Sequence, residues 1–358
     1  MKNLKTMKKV ITVASCLVLL IAGFYACKKD HHAVVVVNTF KQVNLVADSV
    51  SFGAGAPATL APQLLNAWGL AANPNEIIWV SANHTGLSFV FDTTGKAKLI
   101  VTIPSIVDGQ PGAPSGMVYN GTADFGGNKF LFASEDGSVA GWGSGSAAVT
   151  VANRLQSGAV YKGITIASDG GANFLYVTNF KGGKIDVFDA GFNYVTTKPF
   201  VDPGMPAGFA PFNIQNIGNM LYVTYAKQKG PDNMDDQAGP GNGYVDIFKP
   251  DGTFVSRFAS QGTLNSPWGI ALAPAGFAAA TQTILIGNFG DGKINIFDMN
   301  GNYKGQLLQY NGQVISIDGL WAIDFLKNST SVSSTDPLYF TAGPSQEAHG
   351  LLGYLKKQ

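Results

Sequence analysis

The sequence predicts an all-β fold, a six-bladed β-propeller of four-stranded antiparallel blades closed by an N-terminal strand. Three observations predict it. Short strand patterns recur six times in one order, their first members beginning near Gly69, Gly116, Gly163, Asn213, Gly269 and Gly319, which are 47, 47, 50, 56 and 50 residues apart. Periods near fifty belong to propeller blades. The composition suits strands and turns: 44 glycines in 358 residues is about 12%, against roughly 7% usual, and charged residues at 13% are about half the usual share. Both cysteines, Cys16 and Cys27, lie in the N-terminal segment, so the body has no disulfide, thiol nucleophile or Cys-metal site and must be held by packing.

Taken in order, the chain opens on Lys8 and Lys9 and an apolar run from Val10 to Tyr25 closed by Cys27. That run has the length of a secretion signal, not of a spanning helix. Gly23-Phe24-Tyr25-Ala26-Cys27 resembles a bacterial lipobox, with Phe24 where Leu is usual, so Cys27 is the expected lipidation site. Val13-Ala14-Ser15-Cys16 spells the box more closely, but cleavage there would cut the apolar run in half. An ordinary cleaved signal with an incidental cysteine is the alternative. Residues 1–27 are therefore a lipoprotein signal peptide, 28–38 a flexible tether and 39–358 one propeller domain. His31 and His32 belong to the tether, and no third metal ligand follows them.

The expected address is the outer membrane or cell surface of a Gram-negative bacterium, with the periplasmic side left open and contact with the membrane through lipid only. Without Lys2, Lys5, Lys8 and Lys9, the 24 basic residues fall to 20 against 23 acids, a net charge of −3. No nucleic-acid partner follows from that balance. A monomer is expected.

Second strands follow the first at 77–83, 129–135, 174–180, 220–226, 283–289 and 337–343, and third strands at 87–92, 138–142, 184–189, 244–249, 293–298 and 350–355. Turns such as Asp92-Thr93-Thr94-Gly95 and Asp298-Met299-Asn300-Gly301 hand on to outer strands, the Asp bonding the local backbone and the Gly supplying positive φ. The sixth unit has no room for an outer strand after Leu355. Residues 40–46, FKQVNLV, are unclaimed and are expected to supply it, covering an edge that would otherwise stay open.

W-G-[IL]-A, [LI]-Y-V-T-N and G-K-I-[DN]-[VI]-F-D resemble the repeat of NHL-type six-bladed propellers. From Phe212 onward, FNIQNIGNMLYVTYAKQ, NSPWGIALAP, DGLWAI and YFTAGPSQEAHG are similar to a family of uncharacterised secreted bacterial propellers. The resemblance implies the fold and assigns no activity.

Antiparallel order gathers the loops into first strands and out of second strands on one face, the mouth. Trp68, Ser115, Lys162, Asn213, Trp268 and Asp318 approach it from the first set, and Asn83, His84, Glu135, Asp136, Asn179, Asn288 and His349 from the second. The ligand-binding candidates are Trp68, Asn213, Trp268, Asp318 and Glu135. Asn83, Asn179 and Asn288 occupy one repeat position and read first as turn caps, otherwise as oxygen ligands of an axial calcium ion. Recurrent Trp68 and Trp268 read first as packing between blades. The fourth unit carries a 14-residue insertion, in which Asp232, Asp235 and Asp236 are metal candidates although their spacing fails the EF-hand pattern. Glu347 and His349 form the cheapest acid/base set, and no G-x-S-x-G elbow accompanies it.

Two functions follow. One is an envelope-tethered binding module for a glycan, peptide or envelope protein. The other is a calcium-dependent lactonase- or lyase-like enzyme with Glu347, His349 or Asp318 handling protons. A docking disc in envelope assembly is a third, purely structural role.

Overall fold

The computed structural model describes residues 38–358 except 51–54, 56 and 328–330; Cys27, the signal segment and the tether up to residue 37 lie outside the described residues. Six sheets form a six-bladed propeller. Blade 1 runs outward through Ala67–Ala72, Ile78–Ala82, Leu87–Phe91 and Ala97–Thr102. Blade 2 follows with Pro114–Tyr119, Phe130–Ser134, Ser138–Trp142 and Val149–Asn153. The inner strands of blades 3, 4 and 5 are Tyr161–Asp169, Phe209–Ile217 and Pro267–Ala273.

Blade 6 has Leu320–Asp324, Leu338–Ala342 and Leu351–Lys357, and its outer strand is Thr39–Ala47. That N-terminal strand pairs antiparallel from Phe40↔Lys357 to Ala47↔Leu351, so chain start and chain end share one sheet and close the ring. Two short strands that the periodicity did not indicate, Thr59–Leu60 and Leu308–Gln309, pair parallel with its two ends. They cover part of the edge that an outermost strand leaves unpaired.

Two repeat positions explain the close stacking of blades, and a third is polar and buried within each blade. Gly69 and Gly163 lie where an added Cβ would meet Ser115 O and Asn213 Oδ1 at 2.3 Å, closer than any side chain tolerates. Thr178 and Thr341, in second strands, donate their hydroxyls across to the carbonyls of Phe212 and Trp68 in the next blade's inner strand. Asp186, Asp246 and Asn295, at one position of the third strands, are fully buried. Each is bonded inside its blade, Asp186 by Tyr161 Oη at 2.8 Å, Asp246 Oδ1 by Arg257 and Asn295 by Gln306 at 3.0 Å, although Asp246 Oδ2 is buried without a partner among the described residues. They are structural polar groups.

One register differs from the sequence reading. In the sixth unit the residue matching Gly69 and Gly269 is Ala322, because Trp321 precedes it as Trp68 and Trp268 precede theirs; Gly319 is a turn glycine at φ +67°.

Candidate functional site

At the mouth the axis is filled by aromatic rings. Trp68 stacks on Trp321 with centroids 3.7 Å apart, and Phe289 stacks on the same indole at 3.9 Å. Trp268 and Phe212 each meet Trp321 at 5.9 Å, and Phe180 meets Phe212 at 5.0 Å. All six are buried except Phe289, which is partly so. These rings come from blades 1, 3, 4, 5 and 6, and together they plug the channel from the mouth side. Trp68 and Trp268 are thus packing residues and not stacking platforms. Trp321 carries the centre of the plug and was missed by counting the sixth unit from Gly319; the aligned tryptophans of WGLA, WGIA and WAID were the available signal.

Above the plug lies a charged cup. Lys162, with its side chain only 3% exposed, holds its ammonium 5.0 Å from the Trp68 ring centre, a cation–π arrangement. It pairs with Glu135 and lies 3.5 Å from Asp235. Glu135 accepts a further bond from Asn83 Nδ2 at 2.9 Å. Asn66 links the parts: it donates to Glu347 at 2.7 Å and to Asn83 at 3.3 Å, and accepts from Trp321 Nε1 at 2.8 Å. His84 Nε2 stands 3.9 Å from Glu347. Burial alone lowers the Lys162 pKa, but the charges of Glu135, Asp235 and Glu347 bring it above the ordinary lysine value. Burial, then the Glu135 charge, pushes Glu347 up to about 7.

Local backbone aims these groups. The residue after each second strand turns toward the axis, its N–H bonded to the loop leading into the first strand: Asn83 to Asn66, Glu135 to Ala113, Phe180 to Val160, Phe289 to Ser266. Asn83 therefore matches Glu135 and Phe180, one position beyond Asn179 and Asn288, and the three asparagines do not form one ring. Asn179 caps its turn by accepting from Gly182 N at 3.0 Å, and Asn288 donates to Thr263 O and Asp291. Glu347 is delivered by a strained loop in which Ser345, Gln346 and Glu347 have φ of +57°, +58° and +67°. Successive left-handed residues other than glycine cost roughly 1–2 kcal/mol each. Asp318 Oδ2 holds that loop by accepting from Ser345 N at 2.8 Å.

The insertion is a small hairpin, with Lys229 N bonded to Asp235 O, Gln237 N to Lys227 O, and Gln228 bridged to Asp236. Gln228 Nε2 ties it to Phe180 O at 2.7 Å. It brings Asp235 to Lys162 and leaves Asp232 exposed. Asp236 is partly buried, and its pKa is raised, chiefly by that burial.

Of the other candidates, Asn213 lies below the plug, donating to Trp268 O at 2.7 Å, and does not reach the cup. His349 and Glu347 are separated in role: His349 Nδ1 contacts Asp48 at 2.8 Å, while Glu347 has His84 beside it. Asn83, His84 and Glu135 also border a groove of about 380 Å³ running out between blades 1 and 2, with Val107 and Asp136 on its wall.

A calcium ion takes six to eight oxygen ligands. Here Glu135 and Asp235 are turned to the Lys162 ammonium over an indole face, and Asp232 stands apart. Among the described residues no group of three or more His, Cys, Asp or Glu is arranged to hold a metal. The set does not fit calcium.

No known family model matches the chain. It is 35% identical over 315 residues to an uncharacterised protein of Acanthamoeba polyphaga mimivirus, covering 83% of this chain and 81% of the viral one. A second uncharacterised mimivirus protein is 33% identical over 314 residues, covering 83% and 76%. Among solved structures, a Bacteroides thetaiotaomicron protein of unknown function superposes with a TM-score of 0.56 at 10% identity, over 89% of this chain and 76% of that one. A streptogramin B lyase gives 0.51 at 13%, over 90% and 98%. A gluconolactonase of Xanthomonas campestris gives 0.50 at 12%, over 83% and 87%. At these identities the likeness to the solved structures is one of fold. The chain belongs to the family of the two uncharacterised viral proteins.

Proposed function

We propose that this member of an uncharacterised propeller family is a binding module whose ligand sits in the cup of Glu135, Lys162, Asp235 and Glu347 and runs into the adjoining groove. One observation carries the reading. Loops from four blades, one of them left-handed over three residues and another an added hairpin, converge with Lys162 of the third inner strand on a single polar cluster above a sealed axis. A run of three consecutive left-handed residues, Ser345 to Glu347, is the kind of backbone strain that functional sites hold, and polar groups on loops over a rigid scaffold are where propellers and other superfolds place recognition.

Because the plug closes the axis, a ligand rests on the cup and does not thread it. Because the tryptophans and Lys162 are buried, recognition falls to carboxylates and amides. Those groups suit a ligand rich in hydroxyl donors, so a glycan is the class tested first, with a peptide or an envelope protein as the other partners. The Lys8–Cys27 segment supports lipid tethering at a Gram-negative envelope through Cys27.

Retention of the protein on an envelope-glycan array tests the site. Glu347→Gln and Glu135→Gln are each expected to weaken retention at least tenfold at a temperature where circular dichroism shows both variants still folded. No retention by the parent, or equal retention by both variants, contradicts the reading. A second reading, proton-transfer catalysis without metal, is favoured by one fact, a Glu347 carboxyl poised near neutrality beside His84. Turnover of a bound glycan by the parent and its loss in Glu347→Gln would select it.

A further inference from the structure

Below the plug, on the side away from the mouth, the inner strands leave an axial well of about 180 Å³ that opens into a vestibule of about 450 Å³. All six blades line it. Leu70, Met117, Ile164, Ile270 and Ile323 contribute side chains to its wall, strand backbone makes that wall more polar than apolar, and Trp268 and Asn213 border its inner end. Among the described residues one carboxylate faces this space: Asp324, at the end of the sixth inner strand, lines both the well and the vestibule. Thr165 and Gln215 line them too, and neither makes a side-chain hydrogen bond among the described residues.

Burial pushes the Asp324 carboxyl up to about 6, and the neighbouring backbone N–H groups of Leu326 and Phe325 oppose that shift. No cation among the described residues pairs with it. Lys327 at the vestibule rim is committed to Asp336 at 2.8 Å and lies 3.7 Å from Glu76. A partly buried carboxylate without a counter-charge is costly unless something brings one. Its oxygens keep lone pairs for further donors.

We propose that the well is a second binding site, taking a small primary ammonium whose charge meets Asp324 and whose remaining donors reach Gln215 and Thr165. The well is smaller than the roughly 300–1,000 Å³ of drug-sized sites, so it admits an aliphatic amine head while the vestibule takes the rest of the molecule. The site is independent of the cup, from which the aromatic plug separates it.

Calorimetric titration of the full chain with 1,4-diaminobutane tests this, with 1,4-butanediol as the uncharged isostere. Saturable binding of the diamine and none of the diol are expected. Asp324→Asn should weaken the diamine at least tenfold, and Ala72→Leu, which narrows the well wall without touching charge, should do the same if the first variant fails to fold. Glu347→Gln alters the cup and tells the two sites apart. Equal affinity for diamine and diol, no binding of the diamine, or loss of binding in Glu347→Gln with retention in Asp324→Asn would each overturn the proposal.

Discussion

Lys162 shows how a residue legible by position becomes informative only in three dimensions. Its place ahead of the third inner strand marked it as a mouth residue, but Glu135 lies 27 positions away in the preceding blade and Asp235 in the inserted hairpin. No local pattern pairs such partners. Trp68 and Trp268 were legible as packing because they recur, and the rings do pack. Asp324 escaped because an aspartate closing a strand is common, and only the shared well gives it meaning.

Glu347 carries a consequence for stability. Its folded pKa of about 7 exceeds the ordinary 4.5, so between those values the folded state holds more protons than the unfolded one and stability falls as pH rises. Asp324, about 6, and Asp246, about 7, where burial is the largest cause in each, add slope of the same sign. Glu347→Gln should therefore flatten, without abolishing, the fall in melting temperature between pH 5 and pH 7.5. An identical slope in parent and variant would contradict the burial assigned to this carboxyl.

At the scale of elements, the closing strand was readable by subtraction: a sixth unit ending too early and an unclaimed alternating stretch at the start. The observed Thr39–Ala47 exceeds the expected 40–46 by one residue at each end. The two-residue strands beside it were not readable, since a pair of bridges leaves no periodicity. The insertion was legible as extra length. Its hairpin was not, because KQKGPDNMDDQAG has no alternation and is held by bonds to Phe180 and to Asn265, whose Oδ1 accepts from Gly239 N at 2.7 Å. The Lys8–Cys27 segment belongs to this scale as well. Two acyl chains on one cysteine give stable anchoring where one chain gives marginal hold. Labelled palmitate is expected to enter the parent and not Cys27→Ala, which should be released in soluble form. Label in the variant, or none in the parent, would contradict anchoring through Cys27.

At the scale of the molecule, architecture was legible and recognition chemistry was not, for one physical reason. Blades repeat because each must bury the same two faces against its neighbours, so their pattern is written six times. A site at the axis takes one residue from each blade, and those residues are free to differ. Hence Lys162, Glu135, Asn83 and Glu347 share no motif although they share hydrogen bonds. The same geometry divides the axis into a cup above the plug and a well below it, two separate chemical environments.

On the proposed function, ligand meets the protein at the cup. The most direct measurement attaches a photoreactive group to the glycan that the array retains, irradiates the complex and maps the cross-links by mass spectrometry. Cross-links are predicted on Asn83 and His84, on the 229–241 hairpin and on the Ser345–Glu347 loop. Labelling of the opposite face instead, at the turns after Asp92, Asp251 and Asp298, would contradict it.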